Sequence, residues 1–249
     1  MITIKNKEQI AKMRDAGKIV AEVLALMEEH VAPGISTWEL DEIAENHIRK
    51  CGAIPTFLGY GGFPASICAS INDEVVHGIP NRNRYLNEGD IISIDVGATF
   101  RGYVGDAART FPVGKISDEN ARLIEVTRQS FYEGLAQAKK GNRLGDISNA
   151  IQRYVERHGY SVIRDLVGHG VGENMHEDPS VPNYGKKGRG VKLCEGLTIA
   201  VEPMVAAGHY ALDQLADNWT YVTRDGSMAA HYENTFAITD GEPEILTRL

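Results

Sequence analysis

The chain nearly repeats itself at an offset of 107 residues. The matched landmarks are Gly34 with Gly141, Gly52 with Gly159, Leu86-x-Glu88-Gly89 with Leu193-x-Glu195-Gly196, and Asp95 with Glu202. Several landmarks at one offset indicate a duplicated fold, and a pseudo-twofold arrangement would bring the last pair, two acids, to one central site. The length of 249 residues, 43% of them hydrophobic, suffices to bury one core. The sequence predicts a single domain, 1–249, with halves of about 1–110 and 111–249.

Five side chains that can bind divalent metal lie inside or beside apolar segments that read as strands. They are Asp95, Asp106, His169, Glu202 and Glu233. In the two segments that end at Asp95 and Glu202, period-2 alternation places apolar residues on one strand face and the acid among small residues on the other. Strand interiors usually exclude acids, so these positions point to a bound cation.

Asp95 and Asp106 flank a short segment that contains Gly102, which predicts a hairpin turn. Residues an odd number of positions apart can pair directly across a regular hairpin. We therefore expect the two carboxylates to face each other, with Cβ atoms about 5 Å apart. At an effective dielectric constant near 20, such a pair repels by roughly 3 kcal/mol. Either one carboxylate is protonated or metal lies between them.

Apolar residues at helical spacing predict four helices, two in each half. The predicted spans are about 10–31, 36–52, 117–140 and 144–158. Ser36 and Glu39 form the pattern of a capping box at the start of the second span. The simplest architecture is α+β, in which a curved antiparallel or mixed sheet carries helices on its apolar outer face and a metal site on its concave face.

Charge and cysteine content argue against several classes of protein. A net charge of −8 argues against nonspecific nucleic-acid binding. Three cysteines without paired spacing argue against a disulfide framework and against a thiolate zinc site. The first residues lack an apolar signal core, and no segment reaches membrane-spanning length. A cytoplasmic protein without a nucleic-acid or membrane partner is expected.

The five candidate ligands suit two divalent transition-metal ions, either Co, Mn, Fe or Zn. Four carboxylate charges match two such ions, and carboxylates bridge ions about 3.5 to 4 Å apart in hydrolases that activate a shared water. This donor set favours hydrolysis, with one acid carrying the proton. His77 and His176 stand in turn-rich segments at strand ends, where a substrate-contacting role and a purely structural role are equally compatible with the sequence.

Seven motifs occur in order over nearly the whole chain. They are 57–68 (FLGYGGFPASIC), 72–80 (NDEVVHGIP), 95–97 (DVG), 105–110 (GDAART), 168–172 (GHGVG), 175–179 (MHEDP) and 201–203 (VEP). Together they resemble the type I methionine aminopeptidases. The resemblance implies the pseudo-twofold pita-bread fold, a dinuclear metal site, and removal of the initiator methionine from nascent polypeptides when the next residue is small. A monomer is expected, with the ribosome as a further candidate partner.

The resemblance also implies a role for each candidate ligand. Asp106 and Glu233 would bridge both metals, and Asp95 would hold one of them. His169 and Glu202 would complete the other metal, and Glu202 would also carry the proton. Removal of methionine further requires groups that contact the substrate, and the matching positions include both histidines singled out above.

By the same resemblance, His77 and His176 would contact the scissile peptide and steady the tetrahedral intermediate. The positions that match the lining of the methionine pocket are Tyr60, Phe63, Cys68 and Trp219. Aromatic edges suit a thioether sulfur, although each of these residues taken alone is more often a matter of ordinary packing.

Four positions depart from the family pattern. The family usually has glutamine where this chain has His231, often histidine at Asn234, frequently cysteine at Phe57, and often an aromatic residue at Met175. All five metal ligands are kept, so these departures bear on pocket width and metal preference. Two alternatives stay open: a peptidase of the same fold that cleaves before proline, and an inactive peptide-binding relative.

Overall fold

Four helices and fifteen strands, paired only in the antiparallel sense, make up the fold. The computed structural model describes residues 1–249. The helices are α1 Lys7–His30, α2 Thr37–Lys50, α3 Asp118–Leu135 and α4 Leu144–Arg157. The strands are β1 Ile54–Pro55, β2 Ile67–Ile71, β3 Glu74–Val76, β4 Ile91–Phe100, β5 Tyr103–Pro112, β6 Ser161–Val162, β7 Gly168–Gly170, β8 Glu177–Val181, β9 Thr198–Val201, β10 Met204–Ala206, β11 Leu212–Gln214, β12 Tyr221–Thr223, β13 Ala229–His231, β14 Asn234–Ala237 and β15 Glu244–Ile245. The predicted α+β class is confirmed, with antiparallel rather than mixed sheets.

Side-chain caps set the helix boundaries. The backbone N–H of Ser36 donates to Glu39 at 2.8 Å while the Ser36 hydroxyl accepts from the Glu39 backbone, which is the predicted capping box at the start of α2. Helix α3 is shorter than predicted, since it ends at Leu135. Beyond that residue the chain forms a tighter turn, in which Gln137 N–H donates to the Gly134 carbonyl. The side-chain amide of Asn142 donates to the Gln137 carbonyl.

The β4–β5 hairpin corrects the predicted pairing of the two acids. Asp95 pairs with Ala108, and Asp106 pairs with Gly97. Arg101 and Gly102 both have positive φ, 50° and 78°, so they form a two-residue turn of the primed type. That turn lies one residue beyond the centre that direct pairing would need. The two acids therefore share one face of the hairpin but stand diagonally across it.

Backbone contacts recur at the 107-residue offset. Gly34 N–H donates to the Leu86 carbonyl at 2.8 Å, and Gly141 N–H donates to the Leu193 carbonyl at 2.9 Å. Both glycines adopt positive φ, near 92° and 96°, which favours glycine in both copies. The recurrence supports a duplicated origin, and the single-domain boundaries with halves 1–110 and 111–249 stay a prediction.

Two large apolar clusters separate the helices from the sheets. One joins α1 and α2 to β2, β4 and β5, and the other joins α3 and α4 to β9 and β14. Gly17 of α1 meets Gly105 of β5 directly, since a Cβ at Gly105 would stand 2.7 Å from the Gly17 Cα. None of the four helices combines the length and apolar character needed to cross a bilayer.

Candidate active site

Every residue predicted for the site lines one cavity of about 150 Å³. The lining consists of Phe57, Tyr60, Phe63, Cys68, His77, Asp95, Asp106, His169, Met175, His176, Glu202, Trp219 and Glu233. One side of this cavity is acidic and the other is aromatic. The sequence motifs, which are spread over more than 170 residues, thus converge on a single place.

Strand pairing places the acidic side. Asp95 lies in β4 and Asp106 in β5, His169 lies in β7, Glu202 directly follows β9, and Glu233 stands between β13 and β14. The middle of β5 is joined to Glu233 and the start of β14 by three hydrogen bonds, two that involve a side chain and one between backbone groups. The contacts are Thr235 hydroxyl to Asp106 carbonyl at 2.9 Å, Asp106 N–H to Thr235 hydroxyl at 3.2 Å, and Glu233 N–H to Ala108 carbonyl at 2.9 Å. These bonds fix two ligand-bearing segments from distant parts of the chain at one edge.

The acidic side has the donor geometry of a metal centre. One ligand atom each from Asp106, His169 and Glu233 lies within 4.8 Å of the others. His169 Nε2 is 3.4 Å from an Asp106 oxygen and 3.8 Å from a Glu202 oxygen. His169 Nδ1 contacts the Gly170 carbonyl at 2.8 Å, so Nδ1 donates its hydrogen there and Nε2 faces the cluster, where loss of its own proton would free it to bind a metal.

Several buried oxygen atoms of the cluster have no hydrogen-bond partner. They are Asp95 Oδ1, Asp106 Oδ1 and Glu233 Oε1. Asp106 and Glu233 are each only 1% exposed. Buried polar atoms are almost always paired, and a buried carboxylate without a counter-charge costs several kcal/mol. The residues present therefore fit divalent cations.

The protonation equilibria of the cluster reflect this crowding. Burial raises the pKa of Asp95 and of Glu233 well above the usual range, and the neighbouring carboxylates raise both further. Burial also raises the pKa of Glu202, to about 8, although His169 opposes the shift. Burial lowers the pKa of His169, but the Asp106 hydrogen bond and the charge of Glu202 outweigh it and raise that pKa to about 9. Without metal, protons must supply the positive charge.

His77 and His176 line the same cavity as the carboxylate cluster. His77 has a φ of 60°, a costly conformation for a residue with a Cβ, and such strain is concentrated at functional sites. Gly78 holds that turn against β2, where an added Cβ would lie 2.3 Å from the Ala69 carbonyl oxygen. His176 Nδ1 lies 2.8 Å from the Tyr60 hydroxyl. Burial lowers the pKa of His176 to about 4 with help from His169, so this ring is neutral at physiological pH.

The opposite side of the cavity is apolar. Phe63 meets Trp219 edge to face with ring centroids 5.1 Å apart. Cys68 lies directly across the strands from Asp95, and burial raises the pKa of its thiol well above its usual range. Phe57 packs on the bare backbone of Gly97, where a Cβ would stand 2.6 Å from the ring. These contacts form an apolar slot in the same cavity as the carboxylate cluster.

Two further residues contact the cluster, and no role for either was predicted from the sequence. His231 is 2% exposed, and its Nε2, which has no hydrogen-bond partner, lies 3.9 Å from Glu202 and 3.8 Å from Glu233. Burial lowers the pKa of His231 to about 3, so the imidazole is neutral. Arg109 donates to the Glu233 carbonyl and, at 2.7 Å, to Asn234 Oδ1. Each lies within three residues of a predicted ligand in the sequence, which was the available signal.

Comparison with known proteins agrees with this geometry. The model of metallopeptidase family M24 matches residues 11–240. The chain belongs to metallopeptidase family M24. A methionine aminopeptidase from Clostridium acetobutylicum is 60% identical over 247 residues, which cover 99% of each chain. Methionine aminopeptidase 1 of Bacillus subtilis is 54% identical over 249 residues, with both chains fully covered. The resemblance found in the motifs is confirmed.

Solved structures of M24 relatives confirm the pita-bread fold. The crystal structure of a methionine aminopeptidase from Thermotoga maritima matches with a TM-score of 0.99 at 45% identity and covers 100% of both chains. An Xaa-Pro dipeptidase from Bacillus anthracis matches with a TM-score of 0.79 at 22% identity, over 99% of this chain and 62% of that one. The second likeness concerns the fold alone.

Proposed function

We propose that this M24 member is a methionine aminopeptidase that removes the initiator methionine from nascent polypeptides when the next residue is small. Full-length identity of 54–60% to methionine aminopeptidases supports the reaction. The observation that carries the proposal is the single cavity in which a carboxylate and imidazole cluster adjoins an aromatic slot. A thioether side chain fits such a slot, because sulfur packs favourably on aromatic edges.

The proposed cofactors are two divalent ions, either Co, Mn, Fe or Zn. Asp95, Asp106 and Glu233, together with His169 and Glu202, would hold these ions. The unpaired carboxylate oxygens and the orientation of His169, whose Nε2 faces the cluster, support this assignment. When bound, such ions lower the pKa of a water molecule and polarise the peptide carbonyl.

The protein side chains supply proton transfer and orientation. Glu202, whose side chain is 13% exposed, is the cluster acid proposed to accept the proton of the attacking water and pass it to the leaving amine. When the Tyr60 hydroxyl donates to Nδ1 of His176, Nε2 of this neutral ring carries a hydrogen that it can donate to substrate. His77 takes a second contact with the scissile peptide.

The slot and an adjoining groove are proposed to bind different parts of the substrate. Phe63, Cys68 and Trp219 are proposed to hold the methionine side chain. A groove of about 710 Å³ shares His169 and His176 with the cavity, and its walls carry mostly polar side chains. We assign the remainder of the peptide to this groove, since the scissile bond would lie between the two spaces.

A metal-titrated peptide assay tests the proposal. Met-Ala-Ser should release methionine, Met-Lys-Ser should release almost none, and Ala-Pro should be left intact. Cleavage of Ala-Pro would favour a peptidase that acts before proline, and no turnover with any transition metal would favour an inactive peptide-binding relative. A cytoplasmic monomer that meets nascent chains at the ribosome completes the proposal. Failure of the metal-loaded protein to sediment with translating ribosomes would contradict that last part.

A further inference from the structure

A second cluster of metal-ligating side chains lies between α1 and α2, outside the catalytic cavity. Glu22 comes from α1, His47 from the last turn of α2, and Cys51 caps the end of α2. One ligand atom from each lies within 4.8 Å of the other two. All three side chains are half-buried, and none of them lines the catalytic cavity.

The three donor atoms form a triangle of the size that tetrahedral zinc requires. The distances are 2.9 Å from His47 Nε2 to Glu22 Oε2, 3.5 Å from His47 Nε2 to Cys51 Sγ, and 3.8 Å from Cys51 Sγ to Glu22 Oε2. Zinc bonds of about 2.0 to 2.3 Å at tetrahedral angles place neighbouring ligand atoms roughly 3.3 to 3.6 Å apart. Each side of the triangle is within about 0.5 Å of that range, so small side-chain movements suffice.

The local structure favours this convergence. His47 and Cys51 are four residues apart and therefore lie on the same face, one turn apart, where α2 ends. Glu22 reaches the same point from α1, which packs against α2. His47 offers Nε2 to both neighbours, so this trio lacks the relay of two ring nitrogens through which a histidine activates a nucleophile. The arrangement suits a shared ion better than a reactive thiol.

We propose that Glu22, His47 and Cys51 bind one zinc ion, with water as the fourth ligand. Thiolate and imidazole ligands favour zinc over calcium or magnesium, which prefer oxygen. The number and spacing of cysteines argued against a thiolate site, but a mixed sulfur, nitrogen and oxygen set needs only one cysteine. Bound zinc would join the end of α2 to the middle of α1.

Charge and proton balance are consistent with this site. Burial raises the pKa of the Cys51 thiol, and Glu22 raises it further, so the thiol is protonated in the free protein. Zinc binding replaces that proton and releases it to solvent, as metal binding to thiols does. The resulting thiolate and the Glu22 carboxylate together neutralise the two positive charges of zinc.

The second half of the chain lacks the site and so provides a comparison. At the 107-residue offset, Glu22 corresponds to Gln129, His47 to Tyr154 and Cys51 to His158. Neither a carboxylate nor a thiolate stands at those positions. The pair formed by α3 and α4 therefore lacks the ligand set of the pair formed by α1 and α2. Zinc is expected to bind only the first pair.

Zinc and cobalt titrations of the full chain test the site. The test variant is Cys51→Ser, and the matched control is Cys194→Ser, which removes an exposed cysteine. The wild type and the control should bind one zinc ion more than Cys51→Ser, whose zinc affinity at this site should fall by more than about 100-fold. With cobalt, the wild type and the control should show thiolate-to-cobalt charge-transfer absorption that Cys51→Ser lacks.

A second variant tests whether the loss of zinc in Cys51→Ser is due to misfolding. His47→Gln keeps a polar side chain of similar reach and should also lose the extra ion and the absorption. Release of methionine from Met-Ala-Ser per catalytic ion should be unchanged in all variants, which keeps this result separate from the proposed function. Equal zinc content in wild type and Cys51→Ser, or absorption that survives in Cys51→Ser, would overturn the proposal.

Discussion

Asp95→Asn separates two effects of the carboxylate cluster on stability: repulsion between its charges and stabilisation by bound metal. Asp95 stands diagonally across the β4–β5 hairpin from Asp106, and its Oδ1 has no partner. Two carboxylates about 6 Å apart repel by roughly 3 kcal/mol at an effective dielectric constant near 20. His169 and bound protons relieve part of that repulsion. We therefore expect the variant, in the presence of chelator, to be about 1 to 2 kcal/mol more stable than the wild type.

Metal should reverse the order of stability. A ligand that binds only the native state at 100 times its dissociation constant adds about 2.7 kcal/mol to the free energy of unfolding. The wild type gains that stabilisation from each ion, whereas Asp95→Asn loses much of it because one ligand is gone. In excess manganese the variant should thus be the less stable protein.

Urea unfolding at constant pH, with chelator and with excess manganese, measures both effects. The matched control is Asp165→Asn, which removes one negative charge from an exposed bend. The control should leave the response to metal unchanged. Chelated Asp95→Asn that is less stable than the wild type would show that the carboxylates do not repel. An undiminished gain with manganese would show that Asp95 is not a ligand.

Three further perturbations test two residues of the site and one buried acid of α2. Glu202→Gln should weaken metal binding and abolish methionine release, and near-normal turnover would remove Glu202 from its role. His77→Ala should lower kcat by about 100-fold with metal content intact; lost metal with an unchanged rate per ion would make it a structural support. Asp41, whose Oδ1 accepts from the N–H groups of Ser66 and Ile67 at 2.8 and 3.0 Å, has its pKa raised to about 6 by burial. The native state thus holds this proton more tightly, and the free energy of unfolding falls by about 2 kcal/mol from pH 4 to pH 6. Urea unfolding of Asp41→Asn should lack that contribution, and an unchanged pH profile would refute it.

The sequence was most informative where chemistry and periodicity agree. A charged residue in an apolar strand strongly indicates a functional site, so Asp95 and Glu202 could be selected from the sequence. All the predicted site residues line one cavity, and the functional role of each remains a proposal. The capping box at Ser36 was equally easy to predict, because the residues that form it lie within four positions of one another.

The sequence was least informative about register and about partners distant along the chain. The pairing of Asp95 with Ala108 depends on which two residues occupy the turn, and a shift of one residue converts facing acids into diagonal ones. His231 read only as a departure from the family pattern, because its contact with Glu202 exists only after β10 and β13 have paired. The Glu22, His47 and Cys51 cluster likewise depends on the packing of two helices.

The bare contact between Gly17 and Gly105 ties helix α1 to the hairpin that carries Asp95 and Asp106. Gly105 immediately precedes Asp106, and no side chain cushions the backbone of α1 from that of β5. A single methyl group at Gly105 would have to push the helix outward or shift the neighbouring carboxylate. The packing of α1 against β5 and the position of the Asp106 carboxylate therefore depend on the same contact. A substitution that disturbs one of them should disturb the other.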